Sequence, residues 1–363
     1  MPEERRRRVT AKFIGITKGG DVMQDLFAGK PYSEEAMFAA RVVSISAKLC
    51  REIQGEMVTQ ALEKSDRSPV TVADFASQAV VTRFLKDTYP QDPLIAEEAS
   101  QSLRAAEGAK TLEVVTAYVA RIHEGAEPEE VCRWIDHGDG KTTDRFWTLD
   151  PIDGTKGFLR GDQYVTALAL LEAGQVAVGA LGCPNLDHQI EPEIGGEGVV
   201  IVAIRGQGCW ALSMEGKSLG KLSVSTISDP AQARVLRSFE SGHTDSGKLE
   251  QIIARLDTAH PPVLMDSQAK YALMAAGKGD LLFRLLSPAQ PGYVEKIWDQ
   301  AAGSIVVEEA GGKVTDLRGI PLDFTHGRGL NENIGVLASN GRLHDDALET
   351  VHSIGADRRL EGV

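Results

Sequence analysis

The feature that most constrains this chain is a series of β-rich stretches folded back on one another between residues 146 and 212. Tyr164 to Glu172 and Gln175 to Gly182 are dense in valine, leucine and alanine, with Ala173-Gly174 between them. A two-residue break ending in glycine is a hairpin signal, because glycine reaches the positive φ that a tight turn needs. Val199 to Ile204 and Cys209 to Leu212 continue the pattern, and Phe146 to Leu149 precede it. Consecutive hairpins give an antiparallel sheet, which needs helices to cover it. The preceding segment supplies them. Phe38, Val42, Ile45, Leu49, Ile53 and Met57 recur at helical spacing from Met37 to Leu62, and a second helix runs from Asp74 through Val81 to Leu85. Pro93 to Ala96 reads as a short strand ending at Glu97 and Glu98, and residues 100–144 as charged helices.

The second half changes character. Val235 to Phe239, Pro262 to Met265, Asp280 to Arg284 and Ile334 to Ala338 are strand-like. They alternate with helical stretches near 246–256, 268–277 and 298–310, the pattern of a smaller α/β layer. The 363 residues exceed what one core usually organises. We expect an extension over 1–36, an α+β domain with an antiparallel sheet and a metal site over 37–215, and a smaller α/β domain over 216–363.

The formal net charge of −13 argues against a duplex nucleic-acid binder. A small anionic substrate remains compatible if its pocket carries local positive charge. No apolar run reaches the length of a membrane span. Cys50, Cys132, Cys183 and Cys209 lie far apart without zinc spacing, which reads as free thiols in a reducing compartment. We expect a cytoplasmic protein. The basic run Arg5 to Arg8 would suit a transit peptide, whereas Glu3, Glu4, Asp21 and Asp25 would not, so plastid or mitochondrion is the alternative.

The densest chemistry is Asp150-Pro151-Ile152-Asp153-Gly154-Thr155, where a strand runs into a glycine-bounded turn. Proline fixes φ and glycine permits an unusual one, so two carboxylates are presented on a stiff scaffold. Such a pair without a basic partner is costly unless a cation sits between them; the bland alternative is an Asx-type turn capping a helix at Thr155. Glu97 and Glu98 end an apolar strand, although Glu98 alone reads as a solvated strand end. Asp299 follows Trp298 ahead of Ala301-Ala302-Gly303, and alone it reads as a helix N-cap. Asp74 beside Thr71 is either a cap or a base that orients water. Together, Glu97, Asp150, Asp153 and Asp299 form an all-oxygen set that suits magnesium and not zinc.

These pieces resemble the lithium-sensitive, magnesium-dependent phosphatases related to inositol monophosphatase and fructose-1,6-bisphosphatase. Asp150 to Thr155 matches their acid-proline-aliphatic-Asp-Gly-Thr motif. Trp298-Asp299 and Glu309-Ala310-Gly311-Gly312 match their second motif. Within them, the runs Asp150 to Asp162, Gly182 to Leu186, Asp266 to Tyr271 and Glu295 to Asp299 are similar to the plant and fungal 3′(2′),5′-bisphosphate nucleotidase family, over about Tyr32 to Ser339.

The resemblance implies a two-domain αβαβα layered sandwich, and two to three Mg²⁺ ions held by Glu97, Asp150, Asp153, Asp299 and the Ile152 carbonyl. It implies Asp74 and Thr155 as the groups that orient and deprotonate water, and inhibition by Li⁺. Thr155, His243, Ser267, Lys270 and Arg284 match positions that hold the nucleotide. The implied reaction is removal of the 3′-phosphate from 3′-phosphoadenosine 5′-phosphate, giving AMP, with 3′-phosphoadenylyl sulfate as a second candidate substrate. No membrane, nucleic acid or partner chain is expected, and a monomer is.

Gln300 stands where relatives commonly have histidine, Leu286 to Gly292 lacks a basic residue, and His243 sits in an altered context. By itself His243 reads equally as a structural residue. The alternatives are an inositol polyphosphate 1-phosphatase, possessing both activities or one, and a non-catalytic sensor of the bisphosphate. The Asp266 to Tyr271 run favours the nucleotide. A sensor would tolerate loss of metal ligands, and all of them are present.

Overall fold

The computed structural model describes residues 20–56, 62–63, 69–239, 244–290 and 292–359. Helices α1 (Gly20–Phe27) and α2 (Ser33–Glu56) open the chain. A short antiparallel ribbon, Leu62–Glu63 with Pro69–Val70, leads to α3 (Val72–Thr88). Strand β1 (Leu94–Ala96) is followed by the helices α4 (Gln101–Arg104), α5 (Ala109–Ile122) and α6 (Pro128–Asp136). Then come β2 (Arg145–Asp153), the short helix α7 (Thr155–Arg160), β3 (Val165–Glu172), β4 (Gln175–Cys183), β5 (Val199–Ile204), β6 (Gly208–Ser213) and β7 (Ser218–Lys221). The seven strands form one sheet in chain order, parallel between β1 and β2 and antiparallel elsewhere.

The expected hairpin joins β3 to β4. Ala173 and Gly174 both have positive φ, 51° and 76°, as a type I′ turn requires. Along β5 the side chains alternate between two cores. Val200, Val202 and Ile204 pack in the cluster under α2 and α3, and Val199, Ile201 and Ala203 pack on the opposite face.

The second sheet contains β8 (Val235–Arg237), β9 (Val263–Leu264), β10 (Leu281–Arg284), β11 (Lys313–Thr315) and β12 (Val336–Ser339). Its order is β9-β8-β10-β12-β11; the first three are parallel, and β12 runs antiparallel to both neighbours. Helices α9 (Ala269–Ala275) and α10 (Ala301–Glu309) share one core with inner residues of both sheets. Helices α8 (Ser246–Leu256) and α11 (His344–Ser353) cover the outer face of the second sheet. The layers are therefore αβαβα, the architecture expected from the sequence. Gly179 lets α10 lie directly on the first sheet, since a Cβ there would meet Ile305 at 2.4 Å and the Ala302 carbonyl at 2.9 Å.

Three differences from the sequence reading have physical causes. The helix expected over 37–62 begins earlier, at Ser33, with Glu34 and Glu35 favourably placed in its first turn. Part of the expected N-terminal extension is core: Met23 and Phe27 are buried, and Phe27 meets Trp210 edge-on at 5.4 Å. The C-terminal helix α11 carries too few apolar residues to announce itself, yet it buries Ala347 and Val351. Among the described residues no helix is long and apolar enough to cross a membrane. The four cysteines are buried free thiols.

Candidate active site

Asp74, Glu97, Asp153 and Asp299 all come within electrostatic reach of Asp150, from the start of α3, the end of β1, the end of β2 and the entry to α10. Strand β2 carries Asp150 and Asp153 across a register shift against β3, so the chain bulges between them. Gly154 takes φ 90° and starts α7. A Cβ on Gly154 would stand 2.9 Å from the Ser267 side chain, so glycine is what allows the loop carrying Ser267 to approach. That loop is itself strained at Ser267, with φ 64°. From it the Gln268 backbone N–H donates to Asp153 Oδ2 at 2.6 Å. The Gln268 amide then accepts from Gly303 N–H at 2.9 Å and donates to the Trp298 carbonyl at 3.1 Å. One glutamine thus ties Asp153 to the segment that carries Asp299.

Helix α3 addresses the acids from the other side. Thr71 caps it in a capping box with Asp74: the Thr71 hydroxyl and backbone N–H donate to Asp74 Oδ2 at 2.6 and 2.8 Å. One helical turn on, Ser77 donates to the Pro151 carbonyl at 3.0 Å, and Gln78 brackets Glu98. It accepts from the Glu98 N–H at 2.9 Å and donates to its carbonyl at 2.7 Å. Glu98 is buried, which corrects its reading as a solvated strand end. Asp299 is likewise not the cap of α10; that position is Gln300.

The carboxylates feel one another. Burial raises the Asp150 pKa well above the usual carboxylate range, and the charges of Glu97, Asp153, Asp299 and Asp74 raise it further. Asp299 is pushed up to about 8 by burial, with Arg284 opposing and Asp153, Glu295 and Glu97 adding to the rise. Asp153 is raised by burial against the opposing pull of Lys270 and Arg284. Asp150 Oδ1 is buried with no hydrogen-bond partner. Packed acids that raise one another's pKa, with an orphaned oxygen among them, suit a hard cation that would reverse the penalty.

Among the described residues, no group of three His, Cys, Asp or Glu side chains is already drawn together tightly enough to hold an ion. Two of the carboxylates lean on nearby donors instead: Asp153 on the Gln268 N–H, and Asp299 Oδ2 on the Tyr293 hydroxyl at 3.3 Å. The Ile152 carbonyl accepts from the Thr155 hydroxyl at 3.2 Å and keeps a second lone pair.

Cations stand beside the acids. Lys270 is 3% exposed and donates to the Met265 carbonyl at 3.1 Å; burial lowers its pKa to about 8, opposed by Asp153 and Asp266. Arg284 lies 2.8 Å from Glu295 and 3.9 Å from Asp299. Burial works against its charge, but Glu295, Tyr293 and Asp299 hold its pKa above the ordinary arginine value. Its Nε is buried without a partner. His243 lies outside the described residues.

The structure brings Asp74, Glu97, Asp150, Asp153, Lys270, Arg284 and Asp299 within one another's electrostatic reach. The supporting residues Ser77, Gln78, Gln268, Tyr293 and Glu295 were missed by the sequence reading. Gln78 was findable in principle, because it lies four residues after Asp74 on the same helix face. The others act through contacts between distant segments.

The inositol monophosphatase family model matches residues 32–356. A 3′(2′),5′-bisphosphate nucleotidase of Schizosaccharomyces pombe is 38% identical over 89% of this chain and 96% of its own length. One of Oryza sativa is 40% identical over 89% and 95%. Among solved structures, the Thermotoga maritima IMPase superimposes with a TM-score of 0.61 at 20% identity, over 89% of this chain and 98% of that one, a likeness of fold. The chain belongs to the inositol monophosphatase family.

Proposed function

We propose that this protein is a magnesium-dependent phosphatase that removes the 3′-phosphate of 3′-phosphoadenosine 5′-phosphate. The observation that carries the reading is the buried cluster around Asp150, whose charge is opposed by four other acids and whose Oδ1 has no partner. The names of the relatives from Schizosaccharomyces pombe and Oryza sativa supply the substrate class. 3′-Phosphoadenylyl sulfate presents the same 3′-phosphate and is a second substrate on this reading.

Glu97, Asp150, Asp153, Asp299 and the Ile152 carbonyl would hold the magnesium ions. When bound, the metal supplies positive charge at the phosphoryl group and lowers the pKa of water. The chain's own groups do the rest. Thr71 fixes Asp74 by two donations into Oδ2, which keeps a carboxylate oriented to orient and deprotonate the attacking water with Thr155. Lys270 and Arg284 oppose the charge of the substrate phosphates, a need made acute by the net charge of −13. Ser267 and His243 complete the nucleotide contacts. On this reading the protein acts as a monomer on a small molecule and not on a nucleic acid.

The experiment is to measure phosphate release from 3′-phosphoadenosine 5′-phosphate and from inositol 1,4-bisphosphate, side by side, with magnesium. A large preference for the nucleotide is expected. Equal or reversed rates would give the inositol polyphosphate reading the lead, and no release from either would leave the bisphosphate sensor.

A further inference from the structure

Arg328 touches the residue just before each of two carboxylates, by a hydrogen bond to the Ala96 carbonyl and by stacking on the Trp298 ring. Its Nη2 donates to the Ala96 carbonyl at 2.5 Å, and its Nη1 to the Gly138 carbonyl at 3.3 Å. Its guanidinium carbon lies 4.7 Å over the Trp298 ring. Ala96 precedes Glu97 at the end of β1, and Trp298 precedes Asp299 at the entry to α10.

The main chain around Arg328 belongs to the Asp299 side. The Arg328 carbonyl accepts from Ile297 N–H at 3.2 Å, and Leu330 N–H donates to the Glu295 carbonyl at 2.8 Å. The link across to β1 runs through the guanidinium. On the β1 side, the Ala96 N–H donates to the Gly138 carbonyl at 2.8 Å, so the two carbonyls that receive Arg328 belong to one hydrogen-bonded pair of segments. A planar fork serving two carbonyls from one face while stacking on an indole is arginine chemistry, which lysine cannot reproduce.

The ordinary role for such a residue would be a surface ion pair with Asp139. That pair is 3.9 Å long, the Asp139 side chain is 91% exposed, and pairs of this kind contribute little. Burial lowers the Arg328 pKa, and the charges of Asp139 and then Glu97 oppose it, so Glu97 lies within electrostatic reach of the guanidinium.

We propose that Arg328 is a positioning residue for the metal site: by clamping the β1 end to the Trp298 segment it sets the separation of Glu97 and Asp299, and through it the affinity for magnesium. The proposal rests on the metal reading given above. It assigns Arg328 no contact with the substrate.

The test compares the full chain with Arg328→Met, which keeps an apolar stem against Trp298 but removes both donors, and with Arg328→Lys. Magnesium binding is measured by calorimetry without substrate, alongside the magnesium dependence of phosphate release and the thermal midpoint. Arg328→Met should weaken magnesium binding and raise the half-saturating magnesium concentration about tenfold, the usual scale for losing a residue that orients a ligand. At saturating magnesium, KM for the nucleotide should stay within about twofold, because no substrate contact is lost. Arg328→Lys should recover part of the affinity through a single donation. Magnesium affinity equal to wild type in both variants, with a lowered thermal midpoint, would overturn the proposal and leave Arg328 a structural residue. If Arg328→Met does not fold, the lysine variant decides: weakened magnesium binding supports the clamp, and unchanged binding removes it. A wild-type protein that binds no magnesium would sink the metal reading itself, a result distinct from any difference between variants.

Discussion

Gln300 Nε2 donates to Glu295 Oε2 at 2.7 Å, and that same carboxylate oxygen holds Arg284 at 2.8 Å. On its other side, Gln300 Oε1 accepts from the Tyr271 hydroxyl at 2.5 Å. All three partners of this relay are nine-tenths buried or more as Tyr271, Gln300 and Glu295, so the amide's donor and acceptor are both used where water cannot substitute. A histidine, the residue that the family resemblance leads one to expect here, can also donate with one nitrogen and accept with the other. The departure therefore keeps the hydrogen-bonding capacity of the position and with it the support of Arg284.

Gln300→Leu should separate that support from the fold. It leaves the Tyr271 hydroxyl without its acceptor and Glu295 with Arg284 as its remaining donor, at a cost of about 1 to 3 kcal/mol for the unsatisfied buried hydroxyl. Urea denaturation would measure it. Gln300→His should lose under half as much, and an equal loss for both would mean that shape and not hydrogen bonding matters there.

Asp153→Asn should retain the fold and lose turnover. The amide keeps an oxygen for the Gln268 N–H but gives up the negative charge, so phosphate release at saturating magnesium should fall on the order of 100-fold or more. Near-wild-type release would contradict the metal assignment. Millimolar lithium should inhibit the unmodified protein, and release indifferent to it would count against family-like metal chemistry.

Gly154→Ala tests the meeting of the two loops. Its φ of 90° disfavours any side chain, at about 1 to 2 kcal/mol, and the added Cβ would crowd Ser267 at 2.9 Å. The thermal midpoint should drop and activity should fall by more than the loss of folded protein explains, since Gln268 holds Asp153 from the residue next to Ser267. A variant with normal activity per folded molecule would show that the loop contact is not needed for catalysis.

His344 supplies a pH dependence far from the acids. It is fully buried between the Thr315 and Ser339 hydroxyls, at 3.0 and 2.9 Å, and burial lowers its pKa to about 4 from the ordinary 6.5, with Lys313 adding to the shift. Between those values the unfolded chain takes up a proton that the native imidazole refuses. Stability from this site is therefore complete above pH 6.5 and declines as the pH falls through the window towards 4. His344→Gln should lose less stability than wild type when urea unfolding is repeated from pH 7.5 down to 5. A steeper loss in the variant would reverse the assignment.

Much of this was legible in advance because it depends on neighbours in sequence. The Ala173-Gly174 turn, the strand over Val199 to Ile204 and the stiff Asp150 to Thr155 turn are local, and each appears where the residues placed it. The reading failed where local pattern was weak or misleading. Helix α11 has an ordinary polar composition, and Glu98 looks like a solvent-facing acid until Gln78 is seen to take both of its backbone groups.

By itself, the sequence determined the hairpin sheet, the acidic turn and the membership of a family with a known layered fold. Only the tertiary structure decided which acids share a site and what holds them there. Asp150 and Asp299 lie far apart in sequence, and the charge of Asp299 reaches Asp150 only because distant segments pack together, with Gln268 bonded to both Asp153 and the Trp298 carbonyl. The physical reason is range. Turn geometry and side-chain alternation are fixed within a few residues, whereas burial, mutual repulsion and a bridging guanidinium exist only once distant segments have packed.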